Sequence, residues 1–525
     1  MRDYFLFLTL GAATLIQGFG PHAKAQSPTA KSIPQQANKL AISTTAIPTG
    51  RVAIGYSSRV AATGGKEPYN FAETGLPAGL SIDKTTGVVS GKPAPGAVGR
   101  AAVTVKVTDS TKPAAQSATA RLALWIYQAA DKEECGQLKL GDNASFNGFV
   151  PFQPTDLWDT DISNAPVDPD NEMLTSTVGF AGNNLHPDFS SPTYGAGIPY
   201  VVVDSSAQPL VPVNVGVYAS ESDVALEPIP ITAPIEGAPP DCAAGGWPHN
   251  YLGDAHVLVV DRNTCFLYET FNTHRCNGQW ASDSETIWDL KQFEHRPWGW
   301  TSADAAGLAI MPGLVRYDEV QAGAINHAIR YTMQATKNDN NGGYFVEPAS
   351  HAAGSPSSPP WVMGMRIRLN ADFDISGFSK ANQVILTAMK QYGMIVADNG
   401  QYFFFQGAPS AHWNDNDLDN LKNIASSNFE VVDMTPQWPG WDSATAPTGD
   451  VPAIHSFTAS ATSVKPGATV TLKWNIGDAS YLFIDKLGGV RGESVTVKPA
   501  STTTYTLSAT NESGRSTRSV TVKVE

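Results

Sequence analysis

The feature that most constrains the fold of this chain is a regular alternation of apolar and polar residues between turn-forming residues. Residues 102–109 read AVTVKVTD, and residues 470–474 near the other end read VTLKW. A period of two sends every second side chain to the same face of a strand. The 46 glycines and 37 prolines supply turns between such segments. The sequence therefore predicts a mainly β protein.

The length of the chain and the change in its sequence pattern predict several structural units. At about 100 to 200 residues per domain, 525 residues correspond to about three or four units. Alternating segments fill residues 41–128 and 451–525, which predicts a β-sandwich at each end. Residues 130–445 mix strand-like runs with two helical patterns, one of them at 381–392. This region is predicted to be a larger, β-dominated α+β domain.

The first 40 residues have the features of an export signal and a linker. Arg2 precedes an apolar run over residues 4–16, and Ala25 ends a small-residue cleavage site. Residues 1–25 are therefore predicted to be a signal peptide, and the Ser-, Pro- and Gln-rich residues 26–40 a flexible linker. No later run is long enough to span a membrane. We expect a secreted protein, either extracellular or at the cell surface.

The charge of the chain narrows its partners. The formal net charge is -14 and the isoelectric point is about 5.2. No run of lysine and arginine could follow a phosphate backbone, so nucleic acid is not expected as a partner. An acidic protein is also repelled by anionic membranes. Neutral or cationic ligands, Ca²⁺ and sugars remain, and a glycan or another cell-surface ligand is the expected partner.

Four cysteines lie in the middle of the chain, and an even number in an exported protein favours disulfides. Cys265 and Cys276 are close enough in sequence to close a short loop, which would leave Cys135 with Cys242. Four cysteines allow three connectivities, and their spacing does not resemble a zinc site.

Both terminal regions resemble known Ig-like families. Residues 75–83 (GLPAGLSID) and 86–93 (TGVVSGKP) resemble the "Putative Ig" repeat of large bacterial surface proteins. This resemblance implies a cadherin-like sandwich that acts as a spacer or adhesion unit, with Ca²⁺ between modules in some relatives. Asp109 stands where such a ligand would lie, but a Ca²⁺ site needs about six to eight oxygens. No other cofactor is expected. Residues 452–525 resemble the Ig-like modules of secreted bacterial enzymes.

The central region resembles a family of secreted bacterial and fungal proteins. The resemblance covers about residues 145–435 and is carried by several stretches: 185–189 (LHPDF), 197–200 (GIPY), 233–237 (APIEG), 256–261 (HVLVVD), 314–320 (LVRYDEV), 373–378 (FDISGF) and 392–400 (YGMIVADNG). No activity and no catalytic residues come with this resemblance, so it implies a domain and not a mechanism.

Ionisable residues recur in strand-like segments of the central region. Asp254 and His256 are two residues apart and share one face of an extended segment, where they could transfer protons together. Glu269 has apolar neighbours, which would raise its pKa and suit a general acid. Structural pairing is the alternative for each residue.

Further candidates follow in the same region. Asp318 and His327 are predicted catalytic groups, although Asp318 and Glu319 would also serve as the N-cap and first-turn acid of a helix. Three arginines, Arg316, Arg330 and Arg366, are predicted to orient a substrate. Trp298 and Trp300 are predicted to bind sugar rings, with core packing as the alternative.

Two functions fit these features. The first is a carbohydrate-active enzyme, either a glycoside hydrolase or a lyase, with Ig-like accessory modules. It predicts two carboxyl groups about 5 to 10 Å apart in one cleft. The alternative is a non-catalytic adhesion protein or a glycan- or protein-binding protein, which predicts polar groups consumed in internal pairs. The sequence has no Gly-x-Ser-x-Gly elbow to support a serine hydrolase.

Overall fold

The fold is mainly β and multidomain, as the sequence predicts. The structure is a computed structural model that describes residues 39–44, 47, 50–53, 55–97, 99–127, 135–152, 156–239, 241–242, 253–338, 344–358, 360–433 and 449–525. The predicted signal peptide, and the predicted linker up to residue 38, lie outside the described residues. Within those residues, no helix combines the length and the apolar character that a membrane span requires.

The N-terminal module is built from mostly antiparallel strands around one apolar core, with β2 and β9 as a parallel pair. Its strands are β1 (Ala41–Ile42), β2 (Gly50–Arg51), β3 (Tyr56–Arg59), β4 (Ala62–Thr63), β5 (Asn70–Thr74), β6 (Leu80–Ile82), β7 (Val88–Gly91), β8 (Gly99–Thr108) and β9 (Ser117–Tyr127). The main sheets have the orders β2-β9-β8-β5 and β3-β7-β6. The predicted alternation is present in β8, where Val103, Val105 and Val107 are fully buried.

Among its described residues, the central domain contains three sheets and four α-helices. Its strands are β10 (Gly141–Asp142), β11 (His186–Asp188), β12 (Tyr200–Val203), β13 (Val211–Val215), β14 (Leu226–Glu227), β15 (Val257–Asp261), β16 (Phe266–Phe271), β17 (His274–Cys276), β18 (Gln279–Ser282), β19 (Ser284–Asp289), β20 (Ile329–Met333), β21 (Arg366–Leu369), β22 (Met394–Asn399), β23 (Phe404–Gln406) and β24 (Phe429–Val431). Its helices are α1 (Asn171–Thr175), α2 (Tyr317–Ala322), α3 (Lys380–Gln391) and α4 (Asp415–Leu418). The sheet orders are β10-β12-β15-β16-β19, β11-β23-β20-β22-β21-β24 and β14-β13-β18-β17.

The C-terminal module is a two-sheet sandwich. Its strands are β25 (Ala453–Ala459), β26 (Ser463–Val464), β27 (Val470–Gly477), β28 (Tyr481–Ile484), β29 (Gly488–Val490), β30 (Ser494–Val497), β31 (Thr503–Asn511) and β32 (Gly514–Val524). The sheets have the orders β25-β27-β30 and β26-β32-β31-β28-β29. Trp474 is buried on β27, on the face that the alternation predicts.

The longest helix, α3, shows how local sequence sets an element of the central domain. Ser379 caps its N-terminus by accepting a hydrogen bond from the Asn382 N–H. Ile385, Ala388 and Met389 are buried against the six-stranded sheet side of the main core. Gly393, with φ of 70°, follows the end of the helix, where the left-handed region favours glycine. The helix lies within one residue of its predicted bounds.

The disulfide pairing differs from the favoured prediction. The bonds are Cys135–Cys265 and Cys242–Cys276. Cys265 follows the tight turn between β15 and β16 and packs in the main core with Cys135. Cys276 lies on β17 in a different sheet, beside the segment in which the Cys242 N–H bonds to the Arg275 oxygen at 2.9 Å. Proximity in sequence was therefore misleading, because the turn after β16 carries Cys276 into a separate sheet.

Candidate functional site

A group of ionisable side chains collects where the five-stranded and six-stranded sheets of the central domain face each other. We call it the Arg330 cluster, and it consists of Asp188, Glu236, Asp254, His256, Asp304, Arg330, Asp398 and Gln406. Arg330 lies on β20, and its neighbours in the sheet order, β22 and β23, carry Asp398 and Gln406. His256 directly precedes β15 of the other sheet. Strand ends from two sheets therefore converge on one place.

Arg330 is the centre of the cluster and binds a pair of acids. Its Nη2 lies 2.8 Å from Asp304 Oδ1 and its Nε 3.2 Å from Asp304 Oδ2, a two-point contact. Asp398 Oδ2 lies 3.9 Å from Nη2, and Asp398 shares a hydrogen bond with Asp304. Burial and the charge of Asp304 raise the pKa of Asp398 well above its usual value. Burial raises the pKa of Asp304 as well, but the contact with Arg330 opposes this rise. Of the two acids, Asp304 is therefore the one whose ionised form Arg330 stabilises directly, and Asp398 is the one that holds a proton more readily.

In a second pair, the His256 ring is protonated and Glu236 is ionised. His256 Nδ1 lies 2.5 Å from Glu236 Oε2, and Nε2 lies 3.0 Å from the Ala303 oxygen. Both neighbours are acceptors, so both ring nitrogens donate. Burial alone would lower the pKa of His256, but Glu236 and Asp254 outweigh burial and raise it to about 9. Against the effect of burial, the same contact keeps the pKa of Glu236 below its usual value. Glu236 is thus an ionised carboxylate.

Two further acids complete the cluster. Asp188 stands opposite Gln406 in the pairing of β11 with β23, and their side chains are hydrogen-bonded. Burial, and then the charges of Glu236 and Asp254, raise the pKa of Asp188, which Arg330 opposes. Asp254 is exposed, and its charge acts on Asp188, His256 and Asp398. The cluster therefore reaches solvent through Asp254.

The cluster also reaches solvent through Glu236, whose pKa is lowered, and through Asp398, whose pKa is raised. The side chain of Glu236 is 21% exposed and that of Asp398 is 18% exposed, whereas Asp304 and Arg330 are sealed. A ligand could touch the outer acids while the inner ion pair stays dry.

The predicted strand position of Asp254 and His256 is wrong, although both residues are in the cluster. The strand begins at Val257, and Ala255 has a left-handed φ of 46°. This bend leaves Asp254 exposed while His256 is buried, so the two side chains do not share one strand face.

Glu269 lies next to the cluster but is sealed from solvent. Its carboxylate accepts hydrogen bonds from the Ile310 N–H at 3.0 Å and the Met311 N–H at 2.8 Å. Burial raises its pKa to about 7 in spite of these bonds. The raised pKa agrees with the sequence argument. A group without exposed surface, however, cannot protonate a substrate without a structural opening.

The remaining predicted acid and histidine belong to a separate group, the Glu319 cluster. Its members are Asp159, Arg316, Asp318, Glu319 and His327. Arg316 Nη2 lies 2.5 Å from Glu319 Oε1, and His327 Nε2 lies 3.2 Å from the same oxygen. Asp318 accepts from the Phe146 N–H at 2.7 Å. The prediction that Asp318 caps α2 is wrong, because Arg316 is the N-cap residue and both acids lie in the first turn.

Three predicted substrate-binding residues have internal partners. Arg366 donates from Nη1 to the Leu157 oxygen at 2.8 Å and from Nε to the Tyr392 oxygen at 2.8 Å, and it is fully buried. The backbone N–H of Trp298 donates to the Glu512 oxygen of the C-terminal sandwich at 2.8 Å, and its ring packs against Phe345. The Arg515 guanidinium lies 4.7 Å from the centre of the Trp300 ring. Both tryptophans therefore contact the C-terminal sandwich.

Several cluster residues were missed by reasoning from strands. Asp188, Glu236 and Asp398 lie near strand ends or in loops, whereas the candidates were predicted from ionisable residues inside strand-like segments. All three occur in the stretches that carry the family resemblance, namely LHPDF, APIEG and VADNG. That signal could have found them. Asp304 and Gln406 had no such signal.

Asp109, the possible calcium ligand of the N-terminal module, has hydrogen-bonding partners within the protein. Asp109 accepts hydrogen bonds from the Lys66, Thr111 and Gln116 N–H groups and from the Thr111 hydroxyl. These donors tie together the loops at one end of the N-terminal sandwich. Across the described ranges, no three or more His, Cys, Asp or Glu side chains are placed to hold a metal ion.

The comparisons with known proteins identify the N-terminal module. Residues 25–123 match the family described as "Putative Ig domain", which confirms the resemblance of that region. The match covers less than half of the chain, and it does not include the Arg330 cluster. No curated protein matches the chain.

Solved structures give only distant likenesses. A Bacteroides fragilis protein described as a "putative alpha-galactosidase/melibiase" is 22% identical over 20% of each chain, with a TM-score of 0.15. An endo-fucoidan hydrolase of glycoside hydrolase family 107 is 18% identical over 19% of this chain and 15% of its own, with a TM-score of 0.15. The four N-terminal Ig domains of Dscam1 are 8% identical over 92% of this chain and 97% of theirs, with a TM-score of 0.17. This chain spans a fifth or less of the two hydrolases, and TM-scores of this size transfer no activity.

Proposed function

We propose that the central domain is a secreted glycoside hydrolase whose active site is the Arg330 cluster. The observation that carries the proposal is the presence of two accessible acids in opposite protonation states, Asp398 and Glu236. Glycoside hydrolysis requires one carboxyl that donates a proton and a second that stays ionised. The two disulfides suit an oxidising, extracellular setting.

Asp398 has the properties of the general acid. Its proton is retained because burial and the neighbouring Asp304 charge disfavour ionisation. Arg330 fixes Asp304 from the other side and so keeps that charge in place. In the proposed reaction, Asp398 donates its proton to the leaving glycosidic oxygen, and Asp304 and Arg330 act as positioning residues.

Glu236 has the properties of the ionised partner. The His256 imidazolium at 2.5 Å stabilises its charge, and part of the carboxylate remains exposed. In the proposed reaction, Glu236 either activates water or attacks the sugar carbon directly. The loss of the leaving group generates positive charge on the sugar, which the exposed Asp254 and the half-buried Asp188 would stabilise.

The charge of the cluster favours a neutral glycan. Five carboxyl groups face one arginine and one histidine, and with Asp398 protonated the acids still exceed the cations. A uronic acid or sulfated sugar would be repelled from such a site. Neutral polysaccharides are therefore the expected substrates.

The test is an activity screen of the complete secreted chain on neutral and uronate-containing polysaccharides, with detection of reducing ends and of unsaturated products. We expect reducing ends from a neutral polymer, and Asp398→Asn should lower that rate by roughly 10²- to 10⁴-fold. Asp374→Asn is the matched control, because Asp374 is an exposed loop acid whose hydrogen bonds come from the backbone and side chain of the nearby Ser376. Full activity of Asp398→Asn would refute the assignment, and unsaturated products would indicate a lyase instead.

A second candidate function is non-catalytic glycan or protein binding. The observation in its favour is the number of predicted site residues whose side chains make internal contacts, including Arg316, Arg366 and Trp300. Binding of a neutral glycan without turnover, unaffected by Asp398→Asn, would favour this function over hydrolysis.

A further inference from the structure

We propose that the C-terminal sandwich is part of the active unit and that Arg515 is a positioning residue for the Arg330 cluster, acting through the loop 296–304. This inference rests on the proposed function for its effect on catalysis. The effect of Arg515 on the loop 296–304 can be tested without any substrate.

The link begins at Asp223, a completely buried carboxylate at the junction of the central domain and the sandwich. Asp223 accepts hydrogen bonds from Arg296 Nη1 at 2.6 Å, from the Tyr481 hydroxyl at 3.1 Å and from the Ile287 N–H at 3.1 Å. Arg515 Nη2 forms an ion pair with its other side. One sandwich arginine and one central-domain arginine thus share a single buried acid.

The same two arginines hold the loop 296–304. The Arg515 guanidinium lies 4.7 Å from the Trp300 ring centre, a cation–π distance. Arg296 Nε donates to the Thr301 oxygen at 2.8 Å. The Trp298 N–H donates to the Glu512 oxygen of the sandwich at 2.8 Å. The first half of the loop is therefore held from the sandwich side.

The second half of the loop enters the Arg330 cluster. The Ala303 oxygen accepts from His256 Nε2 at 3.0 Å, and Asp304 binds Arg330. Inside the loop, the Ser302 hydroxyl bonds to the Asp304 oxygen at 2.9 Å and stiffens the connection. A shift of the loop would move the acceptor of His256 and the partner of Arg330 together.

Apolar packing supports the same conclusion. Tyr481 and Phe483 of the sandwich belong to one buried cluster with Phe266, Tyr268 and Ile287 of the five-stranded sheet. A sandwich that acted only as a tethered spacer would not share a core with the domain beside it.

The experiment compares Arg515→Ala and Arg515→Lys with Arg518→Ala. Arg518 lies on the same strand, is exposed, and donates only to the Ile454 and His455 oxygens. In Arg515→Ala, we expect amide exchange of residues 298–304 to become about ten-fold faster or more. Arg515→Lys should restore it only in part, because lysine keeps the charge but lacks the planar fork. Arg518→Ala should leave it unchanged.

The effect of Arg515 on catalysis is tested by measuring turnover as a function of pH, with the substrate found in the screen. The charge of Asp304 helps to raise the pKa of Asp398. If the loop relaxes and Asp304 moves away, Asp398 loses its proton at a lower pH. We therefore expect Arg515→Ala to lower kcat by roughly 10²-fold and to shift the alkaline limb to lower pH. Loss of folded protein alone would leave that limb in place.

Two results would overturn the inference. One is unchanged amide exchange of residues 298–304 in Arg515→Ala. The other is faster exchange with an unchanged kcat and pH profile, which would mean that the loop does not position the cluster. If the wild-type chain turns over no glycan, the proposed function fails, and the exchange result alone decides whether the sandwich positions the loop.

Discussion

The Arg330 cluster and the Glu319 cluster are built from the same kinds of side chain but differ in their access to solvent. Each contains a buried arginine, several acids and a histidine. In the Arg330 cluster, Glu236, Asp254 and Asp398 reach the surface and differ in protonation. In the Glu319 cluster, Arg316 and His327 are each only 1% exposed and face Glu319.

This difference separates a candidate site from a structural ion network. A density of ionisable residues is common to both clusters and therefore does not indicate chemistry by itself. Both clusters also contain one acid with a raised pKa and one with a lowered pKa, because Asp159 and Glu319 form such a pair in the Glu319 cluster. Asp159 is buried, whereas both acids of the pair in the Arg330 cluster have exposed surface, and this access is what distinguishes the Arg330 cluster. The two clusters should therefore respond differently to substitution, the first in turnover and the second in stability.

The largest expected effect is on turnover, in Glu236→Gln. The amide cannot act as a base or nucleophile, so we expect the rate to fall by roughly 10²- to 10⁴-fold. The pKa of His256 should also fall from about 9, because its main counter-charge is gone. Turnover assays and a histidine NMR titration measure these effects, with Glu172→Gln, an exposed glutamate on α1, as the control. Near-normal turnover with a lowered histidine pKa would leave Glu236 a structural partner.

The second effect should appear in stability and not in chemistry. Arg316→Met removes the buried cation that faces Glu319, and a buried charge left without its partner costs about 3 to 5 kcal/mol. Urea unfolding of the variant should show this loss, while kcat per folded molecule stays unchanged. Arg262→Met is the matched control, since its ion pair with Asp204 is partly exposed and is expected to contribute less than about 1 kcal/mol. A large fall in kcat of folded Arg316→Met would remove the distinction between the clusters.

The third effect concerns Glu269, which lies next to the Arg330 cluster but is completely buried. Its pKa rises from an ordinary 4.5 to about 7 on folding. Its proton is therefore bound more tightly in the folded state, and this contribution to stability is complete below pH 4.5 and lost as the pH rises to 7. Glu269→Gln should remove this dependence and, at pH 8, be more stable than wild type by up to about 3 kcal/mol.

Unfolding free energies of wild type and Glu269→Gln across pH 4 to 8 provide the measurement. The difference between the two proteins should change only within that window. A difference that is constant with pH would mean that the pKa of Glu269 is the same in the folded and unfolded states, and that its two backbone hydrogen bonds balance the effect of burial.

The sequence predicted the architecture better than the site, for a physical reason. Alternation reports which face of a strand is buried, and it located β8 and β27 because burial is a local property of the pattern. The contact of Asp304 with Arg330 joins residues 26 apart in sequence, and that of Arg330 with Gln406 joins residues 76 apart. Pairings of that separation depend on sheet order, which the pattern of a single segment does not contain. The disulfide pairing was missed for the same reason.

The smallest effect concerns Asp318, which lies at the exposed edge of the Glu319 cluster. Asp318 is 17% exposed, and it accepts from the Phe146 N–H at 2.7 Å and from the Ser145 hydroxyl at 3.0 Å. Asp318→Asn keeps one acceptor oxygen but weakens these charge-assisted bonds, so we expect a loss of about 1 kcal/mol with unchanged turnover. Urea unfolding and the glycan assay measure the two quantities, with Asp372→Asn, a substitution at an exposed loop acid, as the control. Because Asp318 is the most exposed acid paired with Arg316, a fall in turnover here would show that the Glu319 cluster, and not only the Arg330 cluster, meets the substrate.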